Sequence, residues 1–194
     1  MMKLNDEYLA LTAKLAHDVK VASYTGLGLR PGSRHLEIGS GNGHDSIALA
    51  ELEPDAQITG IDLNEEIVAV ANARVKEKSL TNIIHLTGDA AVLDLGTRFH
   101  SMRAERVLQH LDDKRIQDLA ANLARHAEPG CVFSMVGADW ETLTCTVPKQ
   151  HGETFSAIKQ ALIAASNSTC VHSTIAAFEG AGFVTGRIDT WNIT

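Results

Sequence analysis

Residues 35–43, His-Leu-Glu-Ile-Gly-Ser-Gly-Asn-Gly, read as a buried strand that runs directly into a turn with glycine at every second position. Gly39, Gly41 and Gly43 strip side chains from alternate positions, so a ligand can touch main chain where a Cβ would block it. The helix expected from about His44 through Glu51 points its positive end at the same place. A dinucleotide fingerprint needs G-x-G-x-x-G. Here the third glycine comes one residue early, at Gly43, and Glu37 puts a carboxylate at the strand end, which suits a cationic or hydroxyl-bearing ligand better than a diphosphate. The spacing therefore disfavours a nucleotide-dependent oxidoreductase.

The rest of the chain alternates. Strands are expected at 34–38, 57–61, 83–87, 99–104 and 131–137, separated by helical patterns at 44–52, 64–78 and 113–127 and a short irregular piece near 90–95. Such alternation predicts an α/β, doubly wound, mostly parallel sheet with helices on both faces. Right-handed crossovers put the glycine turn at the carboxyl ends of the strands, where the strand order reverses and a cleft opens. An N-terminal helix at 4–23 precedes the first strand, and Gly26, Gly28 and Pro31-Gly32 break the connection between them. Beyond 139 the pattern is less regular: a loop or lid from Thr142 to Gly152, helices at 153–165 and 171–181, and a last strand from Phe183 to Ile193. The whole of 1–194 is expected to be one domain, because 44% hydrophobic residues can furnish a full core.

With Glu37 included, the pattern Glu-x-Gly-x-Gly-x-Gly resembles the first motif of the class I S-adenosylmethionine-dependent methyltransferases. Further segments resemble that family in the same order: Asp62 ending the second strand, 19 positions after Gly43; Thr87-Gly88-Asp89-Ala90; and the run Arg106-Val107-Leu108-Gln109-His110-Leu111, typical of a branch acting on small molecules. Pro129-Gly130 and Asp139-Trp140-Glu141-Thr142-Leu143 fit the same branch, and the resemblance covers roughly residues 20–145. It implies the cofactor S-adenosylmethionine, with S-adenosylhomocysteine as product. Glu37 would lie near the cofactor's amino-acid end, with the main chain of Gly39, Ser40, Gly41 and Gly43 against that end and the ribose. Asp62 would hold the ribose hydroxyls, Leu63 would lie against the adenine, and Asp89 with Ala90 would bond the adenine edge. Taken singly, Asp62 can equally cap a helix beginning near Asn64, and Asp89 can be a plain turn residue.

On the acceptor side, Arg103, Glu105, Arg106, Gln109 and His110 are expected at the mouth of the cleft. His110 is a candidate base, since an imidazole titrates near neutral pH; it can also simply cap the following helix or pair with Asp112 or Asp113. Arg106 can bind an acceptor carboxylate or pair internally with Glu37 or Glu105, and Trp140 can wall a planar acceptor or merely pack. The chain departs from the family at Phe99-His100, where Phe-Asp is usual; His100 can still bond a backbone group. It also stops at Thr194, before the hairpin partner of the last strand, and the sheet is expected to lack that antiparallel edge strand, to reorder, or to borrow one from a second copy, which makes a homodimer an expectation.

A formal net charge of −7, with basic residues scattered, argues against a nucleic-acid partner. The nine His form no H-E-x-x-H pattern and the three Cys no C-x-x-C, so no metal site is expected. No apolar run is long enough to cross a bilayer and the start lacks a signal-peptide layout, which leads to the expectation of a cytoplasmic protein with no membrane partner. Two functions fit: methyl transfer to a small-molecule acceptor, or non-catalytic binding of S-adenosylmethionine as a sensor or assembly partner.

Overall fold

The computed structural model describes residues 17–137, 148–166 and 170–188. Within them helix α1 (His17–Thr25) leads to strand β1 (Arg34–Ile38), α2 (His44–Leu52), β2 (Gln57–Asp62), α3 (Glu65–Glu77), β3 (Ile83–Thr87), β4 (Phe99–Glu105), α4 (Asp113–Arg125), β5 (Ala127–Val136), α5 (Gly152–Ala165) and α6 (Cys170–Gly180). The five strands form one sheet in the order β3-β2-β1-β4-β5, and every pairing is parallel. The order reverses between β1 and β4, which is where an open α/β sheet leaves a crevice at its carboxyl edge.

The strands earn their places by burial on both faces. Along β1, His35, Leu36, Glu37 and Ile38 are all buried, as expected of a central parallel strand. Alternate residues feed two cores. Leu36, Ile38, Ile61, Phe99, Met102 and Ala104 meet Leu119, Leu123 and Phe178. Ile58 and Ile83 meet Leu27, Ile47, Leu49 and Val75. Asn64 caps α3 by accepting from the amides of Glu66 and Ile67, and Asp112 caps α4 by accepting from Arg115.

Two expectations need correction. Strand β5 starts at Ala127, before Pro129-Gly130: its register jumps between the Phe99–Ala127 and Ser101–Val132 pairs, and Gly130, at φ +79°, forms part of a bulge inside the strand. The last strand expected at 183–193 does not form over 183–188. Phe183 is drawn instead into an aromatic cluster, its ring centroid 5.3 Å from Phe178, which stacks on Phe133 at 4.3 Å, while Val184 and Ile188 stay exposed. The remainder of that segment, the stretch Asp139 to Leu143 with Trp140, and most of the expected N-terminal helix lie outside the described residues. No helix among the described residues is long and apolar enough to cross a membrane.

Candidate functional site

Parallel topology collects the ends of four strands at one edge: the glycine turn after β1, Asp62 ending β2, Gly88-Asp89 after β3, and Glu105-Arg106 at the end of β4. The turn is held by main-chain bonds, with Ser40 N donating to Ile61 O and Gly43 N to Ser40 O at 2.9 and 3.0 Å. Gly39 and Gly43 adopt φ of +66° and +83°, and a Cβ on Gly39 would stand 2.2 Å from Val107 Cγ2. Beneath the turn lies His85, buried, whose ring atoms lie 3.1 Å from where a Cβ of Gly43 would sit and 2.4 Å from one on Gly60. Ser46 Oγ is 2.8 Å from His85 Nε2 and 3.3 Å from Gly43 O. Both contacts are satisfied when Nε2–H donates to Ser46 and the hydroxyl donates to Gly43. Burial pushes the His85 imidazole down to about 4, against the opposing pull of Glu37, so it stays neutral.

Asp62 ties the ends together. Its Oδ2 accepts from Gly41 N at 2.9 Å and its Oδ1 from Asn64 N at 3.0 Å, while Gly88 N donates to its carbonyl at 2.9 Å. The carboxylate stays partly open, and Leu63 beside it is 67% exposed. Asp89 accepts from Ala91 N at 3.0 Å and pairs with Arg115. That pairing, with the Ala91 bond, outweighs partial burial and holds its carboxyl below the usual range. Ser40 is buried and its hydroxyl has no hydrogen bond among the described residues.

Glu37 lies deeper than expected, 2% exposed, and both its oxygens are engaged: Oε1 by Arg103 Nη1 at 2.5 Å and Oε2 near His35 Nε2 at 3.2 Å. Arg103 belongs to this buried layer, in contrast to its expected place at the cleft mouth. It is fully buried, its Nη2 donates to Glu105 Oε2 at 2.5 Å and its Nε to Ser23 Oγ at 2.9 Å, and its guanidinium lies 5.1 Å from the Tyr24 ring centroid. Lys20 Nζ donates to Asp45 at 2.6 Å and to Glu105 at 2.7 Å, and Tyr24 Oη donates to Asp45 at 2.6 Å. Three carboxylates, Glu37, Asp45 and Glu105, thus face Lys20 and Arg103. Burial raises the Asp45 carboxyl, but Arg103 and Lys20 overcome it and bring the group to about 2. Burial and the Asp45 charge push the Tyr24 phenol up; burial opposes the Arg103 charge, yet its three carboxylate neighbours hold the guanidinium protonated.

Lys20, Ser23, Tyr24 and Asp45 escaped the sequence reading. The one available signal was Lys20 interrupting an apolar helical stripe, and nothing local tells where its charge is neutralised. His100 does bond a backbone group: Arg34 N donates to its Nδ1 at 3.1 Å. Arg106 pairs with its neighbour, its Nε 3.3 Å from Glu105 Oε1, and Glu37 is taken by Arg103. Gln109 is buried, a correction to its expected place at the mouth, and His110 is exposed, in a 3-10 turn at Leu108–His110. Partial desolvation of its ring, on the side turned to the protein, and the Arg106 charge hold the His110 imidazole below its ordinary value.

Residues 36–130 match the family described as a methyltransferase domain. A malonyl-[acyl-carrier protein] O-methyltransferase of Bacillus anthracis is 28% identical over 121 residues, 62% of this chain and 43% of that protein. Among solved structures, phosphoethanolamine N-methyltransferase 2 of Haemonchus contortus superposes with a TM-score of 0.69 over 95% of this chain and 43% of its own, at 19% identity. An S-adenosylmethionine-dependent methyltransferase of Clostridium acetobutylicum gives 0.57 over 67% of this chain and 52% of its own, at 16% identity. At those identities the two structures bear on the fold. The chain spans less than half the length of the curated relatives it matches.

Proposed function

We propose that this protein, whose residues 36–130 match a methyltransferase domain, transfers a methyl group from S-adenosylmethionine to a small-molecule acceptor, with S-adenosylhomocysteine left as product. The observation that carries the reading is Asp62: a partly open carboxylate bonded to the Gly41 amide, beside an exposed leucine, at the point where the strand order reverses. The residues fit a nucleoside. Each Asp62 oxygen gives one lone pair to a main-chain amide and keeps another for a ribose hydroxyl, and Leu63 offers an apolar face for a flat base. Gly39, Ser40, Gly41 and Gly43 would present main chain to the amino-acid end, and Asp89 with Ala90 would meet the adenine edge.

Bound there, the sulfonium cofactor would supply an electrophilic methyl carbon. The chain's own contribution is placement of the acceptor in line with it, where proximity can contribute about 7–11 kcal/mol of barrier lowering. Glu37, fixed by Arg103 in the charge layer under the turn, would face the cofactor's amino-acid end directly or through a water. His110, kept neutral near pH 7, can take a proton from a hydroxyl or amine acceptor. One named relative is an O-methyltransferase and the other an N-methyltransferase, so the shared domain alone does not fix the acceptor atom.

Calorimetry with S-adenosylmethionine tests the cofactor half. Asp62→Ala removes two charged hydrogen bonds each worth about 1.5–3 kcal/mol, so affinity should fall by roughly 10²- to 10⁴-fold. Wild-type protein that ignores the cofactor, or an Asp62→Ala variant that binds it equally well, overturns the assignment. Tritiated-methyl incorporation into a metabolite extract tests transfer itself: labelled product is expected, and bound cofactor without it would leave a binding protein.

A further inference from the structure

At the end of β4 the chain does something costly. Arg106 sits at φ +55°, a left-handed conformation in which a side chain of its size is rare. The reversal is used: the Arg106 amide donates to Val136 O at 2.7 Å, and Val107 folds over Gly39. Glycine or asparagine would make the same turn more cheaply, so what arginine adds is its guanidinium. That group is under-used. Its Nε is buried with no hydrogen bond among the described residues, and the nearest carboxylate, Glu105, faces it at 3.3 Å while its other oxygen serves Arg103 and Lys20. In the same turn Gln109 is 7% exposed and its Oε1 also lacks a partner. Arg106 Nε, which faces a carboxylate without a well-formed hydrogen bond, and Gln109 Oε1, which has no partner among the described residues, lie three residues apart in the chain, and such buried polar atoms are expensive unless a ligand completes them.

Building on the methyl-transfer reading, we propose that Arg106 anchors an oxyanion, a carboxylate or phosphate, on the acceptor, and that Gln109 accepts from an N–H or O–H group of the same molecule. The planar fork of arginine matches either oxyanion bidentately. The exposed His110 lies in the same turn and reports on the charge at Arg106.

NMR titration of His110 in the apo protein, with inorganic phosphate and separately with succinate, tests this without any methyl transfer. An anion on Arg106 should cancel its charge and raise the His110 midpoint by roughly half a pH unit or more. The faces able to influence His110 here include Arg106 and its partner Glu105. Arg106→Asn, which tolerates the left-handed turn, should show a raised midpoint at the outset and no further response; Arg106→Lys should respond at least threefold more weakly than wild type. A response to either anion in wild type, lost in Arg106→Asn, supports the anchor and tells phosphate from carboxylate. Silence to both anions, or an equal response in wild type and Arg106→Asn, overturns it. Calorimetry with S-adenosylmethionine on the same samples keeps the two readings apart, since a failure there removes the cofactor and leaves the anion result standing.

Discussion

Acidifying the protein should cost it stability at one identifiable ring. His85 lies beneath the glycine turn with its imidazole held down to about 4, against an ordinary value of 6.5. Between those two values the unfolded chain binds a proton that the folded chain refuses, so stability rises with pH there. The contribution is fully present above 6.5 and is lost as the pH falls through 4. At about 1.4 kcal/mol per pH decade, that gap corresponds to about 3 kcal/mol. Asp45, whose carboxyl is held at about 2, loses its contribution only below the ordinary carboxylate value of 3.8, so the two windows separate. The perturbation is acidification from about pH 7.5 to about pH 4.5, applied to wild type and to His85→Gln, whose amide reaches the place of Nε2 without titrating. About 2.5 kcal/mol of the His85 gap is expressed by pH 4.5, so with a urea slope of about 2 kcal/mol/M the wild-type midpoint should fall by roughly 1.2 M more than that of the variant. Whatever the substitution does to absolute stability cancels, because the pH slope is the readout. Parallel midpoints for the two proteins across this range would refute the idea that a neutral, desolvated His85 supports the turn.

Two further outcomes follow from the same neighbourhood. Gly39→Ala should destabilise by about 2–4 kcal/mol in chemical denaturation, since it combines a left-handed residue with a Cβ 2.2 Å from Val107, and Val107→Ala should recover part of the loss; equal stability of Gly39→Ala and wild type would contradict the close approach. Arg103→Met should cost about 3–5 kcal/mol, because it strands the buried Glu37 without its cation while Glu105 keeps Lys20, and adding Glu37→Gln should return some of it; purely additive losses in that double variant would show that the two side chains act independently.

The fold was legible where local chemistry and period agree. Glycine spacing, five apolar runs and the carboxylate at Asp62 are all short-range signals, and each strand lies within a few residues of its expected place. What escaped depends on distant partners. Arg103 looks like a cleft residue because strand sequences say which face a side chain takes, not what waits behind it; its neutralising carboxylates and Ser23 come from β1, α1 and α2. Residues 183–188 carry a strand-like composition, yet Phe183 joins Phe133 and Phe178 in an aromatic cluster and the backbone there forms no strand. The start of β5 was misplaced because Pro129-Gly130 normally punctuates a strand, whereas here a bulge absorbs it.

Helix α1 is seated by three side chains of differing chemistry: an ammonium from Lys20, a hydroxyl from Ser23 and a phenol from Tyr24, each with its own acceptor or donor below. Sliding the helix by one residue would rotate it by about 100° and unseat all three at once. The helix is therefore keyed like a lock pin, its phase chosen by polarity, so that small sequence changes elsewhere along it can alter how tightly it sits but not which way it faces.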